Sequence, residues 1–150
     1  MNNAKFTVKS QEALNAALDA AESRQNPAVD GLHLLYALLQ QPDGLVGPAL
    51  AGAGVKVDTL FYDIEAQLKR EPQVSGVSRD KLSMTSSLRR VLEKAEKEAT
   101  SFGDEFVSTE HFLLGLMDVE SSTKTLLLKS GANAGAVRKA VIEMKGNQKV

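Results

Sequence analysis

Glu110 and His111 stand side by side in FVSTEHFLLGL, residues 106–116. A carboxylate next to an imidazole is the raw material of general acid–base catalysis or of a metal site. A zinc-protease helix needs a second histidine four residues after the first, on the same face. Position 115 is Gly. The only other histidine, His33, lies in AVDGLHLLYAL, residues 28–38, where the apolar pattern is the same. Two histidines at matching places in two similar segments read as structural, so no catalytic residue and no metal ligand is assigned.

Other reactive patterns are missing from the chain. It has no Gly-x-x-x-x-Gly-Lys phosphate loop and no Gly-x-Ser-x-Gly elbow. It has no cysteine, which removes thiolate nucleophiles, disulfides and cysteine metal sites. The glycines of GPALAGAGV are spaced for a short helix and its cap, not for a dinucleotide turn. Asp104 and Glu105 form a carboxylate pair in the loop FGDEFVS. Such a loop before a helix is either merely solvated or functional.

The elements that position these residues come in two copies. Sliding the chain by 78 residues lays residues 6–39 on residues 84–117 with nine identities in 34 ungapped positions, among them Thr7 on Thr85, Val29 on Val107 and His33 on His111. With one residue deleted, Leu50 falls on Leu127 and Gly54 on Gly131. Two copies of about 65 residues are too long for solenoid units and predict one pseudo-twofold domain. Copy one covers about residues 5–70, a connector 71–81 and copy two about 82–145, with 146–150 the start of a linker.

Each copy reads as four helices. Thr7 and Thr85 are N-cap candidates for the first helices, Asp30 and Ser108 for the second, because a side-chain oxygen there satisfies free backbone N–H groups. Leu88, Val91, Leu92, Ala95 and Ala99 recur at helical spacing against a charged face. The second helices carry Leu32, Leu35, Leu38 and Leu39, and then Phe112, Leu113, Leu116 and Met117. Third helices near 45–53 and 123–130 end at glycines, which favour the left-handed cap. Fourth helices are expected near 57–70 and 134–145. No segment alternates like a strand, so the fold class is all-α. The connector EPQVSGVSRDK reads as irregular.

Composition sets outer limits. One compact domain of 150 residues with 43% apolar side chains can bury roughly 70% of its unfolded surface. The net charge of −1 argues against a nucleic-acid platform. Residues 1–75 hold 6 basic and 9 acidic side chains, residues 76–150 hold 12 and 10, and neither half is a polyelectrolyte. Apolar runs such as FLLGLM are far too short to span a bilayer. A protein of the cytoplasm, without membrane or nucleic-acid partners, is expected.

TEHFLLGLMD, its echo LHLLYALLQQ, the starts FTVKSQEAL and MTSSLRRVL and the glycine-ended third helices together resemble the Clp N domain, the duplicated eight-helix domain at the front of Hsp100 ATPases. REPQVSG and GDEFVSTEH look most like the ClpB type of disaggregase. The resemblance covers residues 5–145. It implies a non-catalytic domain that binds unfolded or aggregated polypeptides through a shallow apolar groove with a polar rim. It implies an ATPase, with ATP and magnesium, only beyond residue 150. It further implies a homohexamer built by those ATPase modules and cooperation with the Hsp70 system, while the domain itself stays monomeric.

The resemblance also marks Thr7, Asp104 and Glu110 as substrate-handling positions. Thr7 has the alternative of being only a cap. Glu110 has that of being only a partner for the positive end of its helix. Asp104 is the best functional candidate, because nothing structural in the sequence demands it. Copy one has Asn26 and Leu32 where copy two has Asp104 and Glu110, so a functional rim would be one-sided. The alternative reading is a docking domain for a folded adaptor of a Clp protease ATPase.

Overall fold

The computed structural model describes residues 5–148. Eight α-helices run in chain order among them: α1 (Val8–Ser23), α2 (Gly31–Gln40), α3 (Val46–Gly52), α4 (Val57–Lys69), α5 (Ser86–Phe102), α6 (Thr109–Asp118), α7 (Ser122–Lys129) and α8 (Ala134–Gln148). The first four repeat as the second four, as the internal repeat predicts. Helix α8 runs three residues past its expected end, so 146–148 are helical; the rest of the expected linker start, 149 and 150, lies outside the described residues.

All four expected N-caps are in place. Thr7 Oγ1 accepts from the Ser10 N–H at 3.1 Å and Thr85 Oγ1 from the Leu88 N–H at 3.2 Å. Asp30 and Ser108 precede α2 and α6 in extended backbone. Gly54 and Gly131, just after α3 and α7, have φ of 91° and 99°, where a side chain would be strained.

Helices α2 and α6 form the centre. The sequence predicts one apolar face on each, but α6 is buried from Thr109 to Met117 and α2 nearly as completely. The remaining helices wrap them and bury narrower stripes, such as Leu88, Val91, Leu92, Ala95 and Ala99 of α5. Where α6 crosses α5, a Cβ built on Gly115 would lie 2.7 Å from the Val91 carbonyl oxygen. That contact gives position 115 its glycine.

Short parallel pairings, absent from the expected all-helical pattern, tie the copies together. The strand Ala28–Val29 (β1) pairs with Ser83–Met84 (β2), and Phe6 bridges Val107. These are one arrangement twice: the residue before the N-cap of each copy's first helix pairs with the residue before the N-cap of the other copy's second helix. Thr7 N–H donates to the Val107 carbonyl at 3.1 Å and Thr85 N–H to the Val29 carbonyl at 3.0 Å. Runs of one or two residues are too short to leave a period-two pattern. The connector holds a 3₁₀ turn, Arg79–Lys81, and is pinned to copy one. Asn26 Nδ2 donates to the Pro72 carbonyl at 2.9 Å, and Gln25 Oε1 accepts from Gly76 N–H at 3.0 Å.

Candidate functional site

The histidines that open the sequence turn out to be cap partners. His33 Nδ1 accepts the Asp30 backbone N–H at 2.9 Å, and His111 Nδ1 accepts the Ser108 backbone N–H, also at 2.9 Å. A ring accepting at Nδ1 carries its proton on Nε2. That proton goes to Asn26 Oδ1 in copy one and to Asp104 Oδ2 in copy two, each at 2.9 Å. Burial is the main cause that lowers the His33 pKa to about 4, and the neutral Asn26 fits a neutral ring.

In copy two the same position carries a charge, and a cation answers it. Lys145 Nζ of α8 lies 2.6 Å from Asp104 Oδ2 and 3.0 Å from Glu110 Oε2. It also sits over the Phe102 ring, 5.2 Å from its centroid, a favourable place for an ammonium. Burial acts to raise the Asp104 carboxyl, but the hydrogen bonds from Lys145 and His111 outweigh it and hold it below the usual range. Burial acts likewise on Glu110, and the Ser108 hydroxyl, the Glu110 backbone N–H and Lys145 overcome it. Burial would lower Lys145, yet the two carboxylates raise it. Asp104 is therefore fully engaged by the structure, against the sequence expectation that nothing structural demands it.

Ligand atoms of Asp104, Glu110 and His111 lie within 4.8 Å of one another. Carboxylates and an imidazole at such spacing suit a divalent cation in type. The His111 Nε2 points a proton, not a lone pair, at Asp104, and the Lys145 ammonium already bridges the carboxylates. The donor set is thus satisfied within the chain.

Thr7 and Glu110 meet in one groove. A depression of about 310 Å³ is lined by Thr7 and Lys9 from copy one's first helix, by Asp43 and Leu45 before α3, and by Ser108 and Glu110 of copy two. Asp104 lines the neighbouring depression with Lys5, Glu105 and Val107, and Lys145 joins the two by bonding both acids. Val8, the residue after Thr7, is 70% exposed, and Phe106, the residue before Val107, is 45% exposed. Val8 opens α1 two residues after Phe6 and Phe106 directly precedes Val107, so an exposed apolar side chain stands close in sequence to each partner of the bridge.

The groove has a pseudo-equivalent lined by Thr85, Asp30 and Ser122, which are the counterparts of Thr7, Ser108 and Leu45. There Leu32 replaces Glu110 and is fully buried, and Glu71 and Pro72 of the connector form part of the wall. The two sides are chemically unequal, as the sequence predicts. Lys145 is the member that sequence reading misses: a lone lysine on an amphipathic helix reads as solvated. Its alignment with Leu68 of copy one, a buried core residue, is the one signal that could have flagged it.

A duplicated eight-helix domain, locked across its pseudo-twofold and bearing two unequal grooves at equivalent places, is the class that fold and site define. The chain belongs to the family of the Clp repeat (R) N-terminal domain, whose model matches residues 5–147. It is 39% identical over 144 residues to the chaperone protein ClpB of Mycobacterium tuberculosis, covering 96% of this chain and 17% of that protein. It is 34% identical over 150 residues to ClpB of Propionibacterium freudenreichii, covering 100% and 17%. The chain thus spans about a sixth of the length of these relatives. Its fold is that of the Hsp104 N-terminal domain of Candida albicans, with a TM-score of 0.84 at 22% identity over 95% of this chain and 92% of that one. It is also that of a ClpV N-domain solved in complex with a VipB peptide, with a TM-score of 0.73 at 24% identity over 90% and 83%. Among the described residues no helix is long and apolar enough to cross a membrane.

Proposed function

We propose that this chain is the polypeptide-binding domain of a ClpB-type disaggregase, and that it engages unfolded or aggregated chains at the Thr7–Glu110 groove. The observation that carries this reading is the groove that Thr7 and Glu110 line together, with the exposed apolar side chains of Val8 and Phe106 close by in sequence. An apolar surface with a polar rim suits an extended chain of varied sequence. The likeness to a ClpV N-domain held with a peptide supports the same kind of partner. Ordering an extended chain costs entropy, so affinity is weak and selectivity low.

The larger protein, on this reading, is a cytoplasmic ATPase that uses ATP and magnesium, forms a homohexamer through other modules and works with the Hsp70 system. The present domain acts as a monomer that delivers substrate and does no chemistry. An NMR titration with a permanently unfolded protein tests the site. Shifts should cluster at Thr7, Val8, Asp104, Phe106 and Glu110. No shifts at millimolar concentration would sink direct substrate binding and leave docking of a folded adaptor as the better reading.

A further inference from the structure

We propose that Lys145 sets the charge preference of the Thr7–Glu110 groove, acting as a specificity-determining residue; this rests on the polypeptide-binding reading above. Three observations lead to it. Lys145 Nζ holds Glu110, which lines the groove, and Asp104, which lines the depression beside it. The Lys145 side chain is 14% exposed and the Glu110 side chain 8% exposed, so solvent screens them little. The same architecture can be built without these charges. In copy one the counterparts of Asp104, Glu110 and Lys145 are Asn26, Leu32 and Leu68, all buried and none charged.

Buried charges are desolvated at a cost, and apolar residues of similar volume often replace them without loss. Copy one contains that replacement within the same architecture. What the ionic version adds is a controlled potential. With Lys145 in place the two acids leave one net negative charge beside the groove; without it they leave two. A cationic side chain on a bound polypeptide is drawn by that surplus, and an anionic one is repelled. Lys145 keeps the surplus small, so the groove accepts both kinds of segment.

The test uses two fluorescent peptides with one apolar pattern, bearing lysines in the first and glutamates in the second at the polar positions. Anisotropy gives the affinity of each for the wild-type chain and for Lys145→Met and Lys145→Arg. Lys145→Met should tighten the lysine peptide and weaken the glutamate peptide, each by about threefold at low salt. Lys145→Arg, which keeps the charge, should restore the wild-type ratio. If Lys145→Met does not fold, Lys145→Gln serves the same comparison. Shifts of both peptides in one direction, or no rescue by arginine, overturn this inference alone. Failure of the wild-type chain to bind either peptide overturns the polypeptide-binding reading as well.

Discussion

The Arg138 guanidinium of α8 meets the Glu98 carboxylate of α5 through two hydrogen bonds, 3.0 and 2.6 Å long, and Glu98 is almost fully buried. A planar fork on a carboxylate is among the strongest of charge-assisted contacts. The counterparts in copy one are Ala20 and Phe61, and Phe61 stacks on Tyr36 at 5.1 Å. Helix α8 is thus clasped by charge at two points, where its partner α4 is seated by apolar and aromatic packing. Arg138→Ala leaves a buried carboxylate with only the distant Lys94 ammonium, 3.9 Å away. Because the Arg138 side chain is partly exposed, the loss should be about 2 kcal/mol, read from urea denaturation. Glu98→Gln, which keeps an acceptor, should lose less.

Stability should fall as acid is added, well before the carboxylates titrate. His33 has its pKa lowered from 6.5 to about 4, mainly by burial. The unfolded chain binds that proton at a higher pH than the folded one, so stability is whole above pH 6.5 and is lost on the way down to about 4. The full effect is about 3 kcal/mol. Asp104 and Glu110, held below their ordinary 3.8 and 4.5, add a further loss that begins near the lower end of that window and continues below it. Lys145, raised above 10.5, gives stability that persists through neutral pH and is lost as pH rises through its folded value. Urea midpoints measured from pH 7 to 4.5 should drop for the wild type. His33→Gln should start lower, for want of the ring, and change less with pH. A variant profile parallel to the wild type would assign the acid sensitivity elsewhere.

Gly115 should resist enlargement even though alanine favours helices. A methyl group there would meet the Val91 carbonyl at 2.7 Å and Val91 Cγ1 at 3.2 Å. Backbone cannot step aside without moving α5 from α6. Copy one places Ala37 at this position, buried and tolerated, so the constraint belongs to copy two's tighter crossing. Gly115→Ala should cost about 2 kcal/mol in thermal or urea unfolding. A gain in stability would show that the helices can separate cheaply.

Much of this architecture is written in local sequence. Thr7, Thr85 and Asp30 accept from backbone N–H groups two or three residues on, and Ser108 holds the N-cap place with its own N–H given to His111, because each cap signal lies within three residues of the backbone it satisfies. The internal repeat adds the pseudo-twofold, since His33 and His111 keep the same register. What escapes are contacts between distant residues of ordinary type. Lys145 meets Asp104 across 41 positions and Glu110 across 35, and nothing local in MKGNQ announces it. Asp104 looked free because its partners, His111 and Lys145, are invisible until the helices pack. The Phe6–Val107 bridge spans about a hundred residues and needs no strand-like stretch at either end.

Thr7 and Thr85 give a way to separate binding from capping. Both cap a first helix, but Thr7 lines the groove with Glu110, whereas Thr85 lines the counterpart where Leu32 stands and the connector packs. Thr7→Ala removes the acceptor for the Ser10 N–H and should cost about 1 kcal/mol. Thr85→Ala also loses the bond from its hydroxyl to Asp30 Oδ1 at 2.7 Å, so its cost should reach about 2 kcal/mol. Binding of an unfolded polypeptide should nevertheless weaken only in Thr7→Ala, and Thr7→Ser should retain both cap and binding. Anisotropy on the three variants, each checked for folding, decides the matter. Equal losses in Thr7→Ala and Thr85→Ala would mean that the groove is not one-sided, because the less stable variant spares the acidic groove yet binds no better.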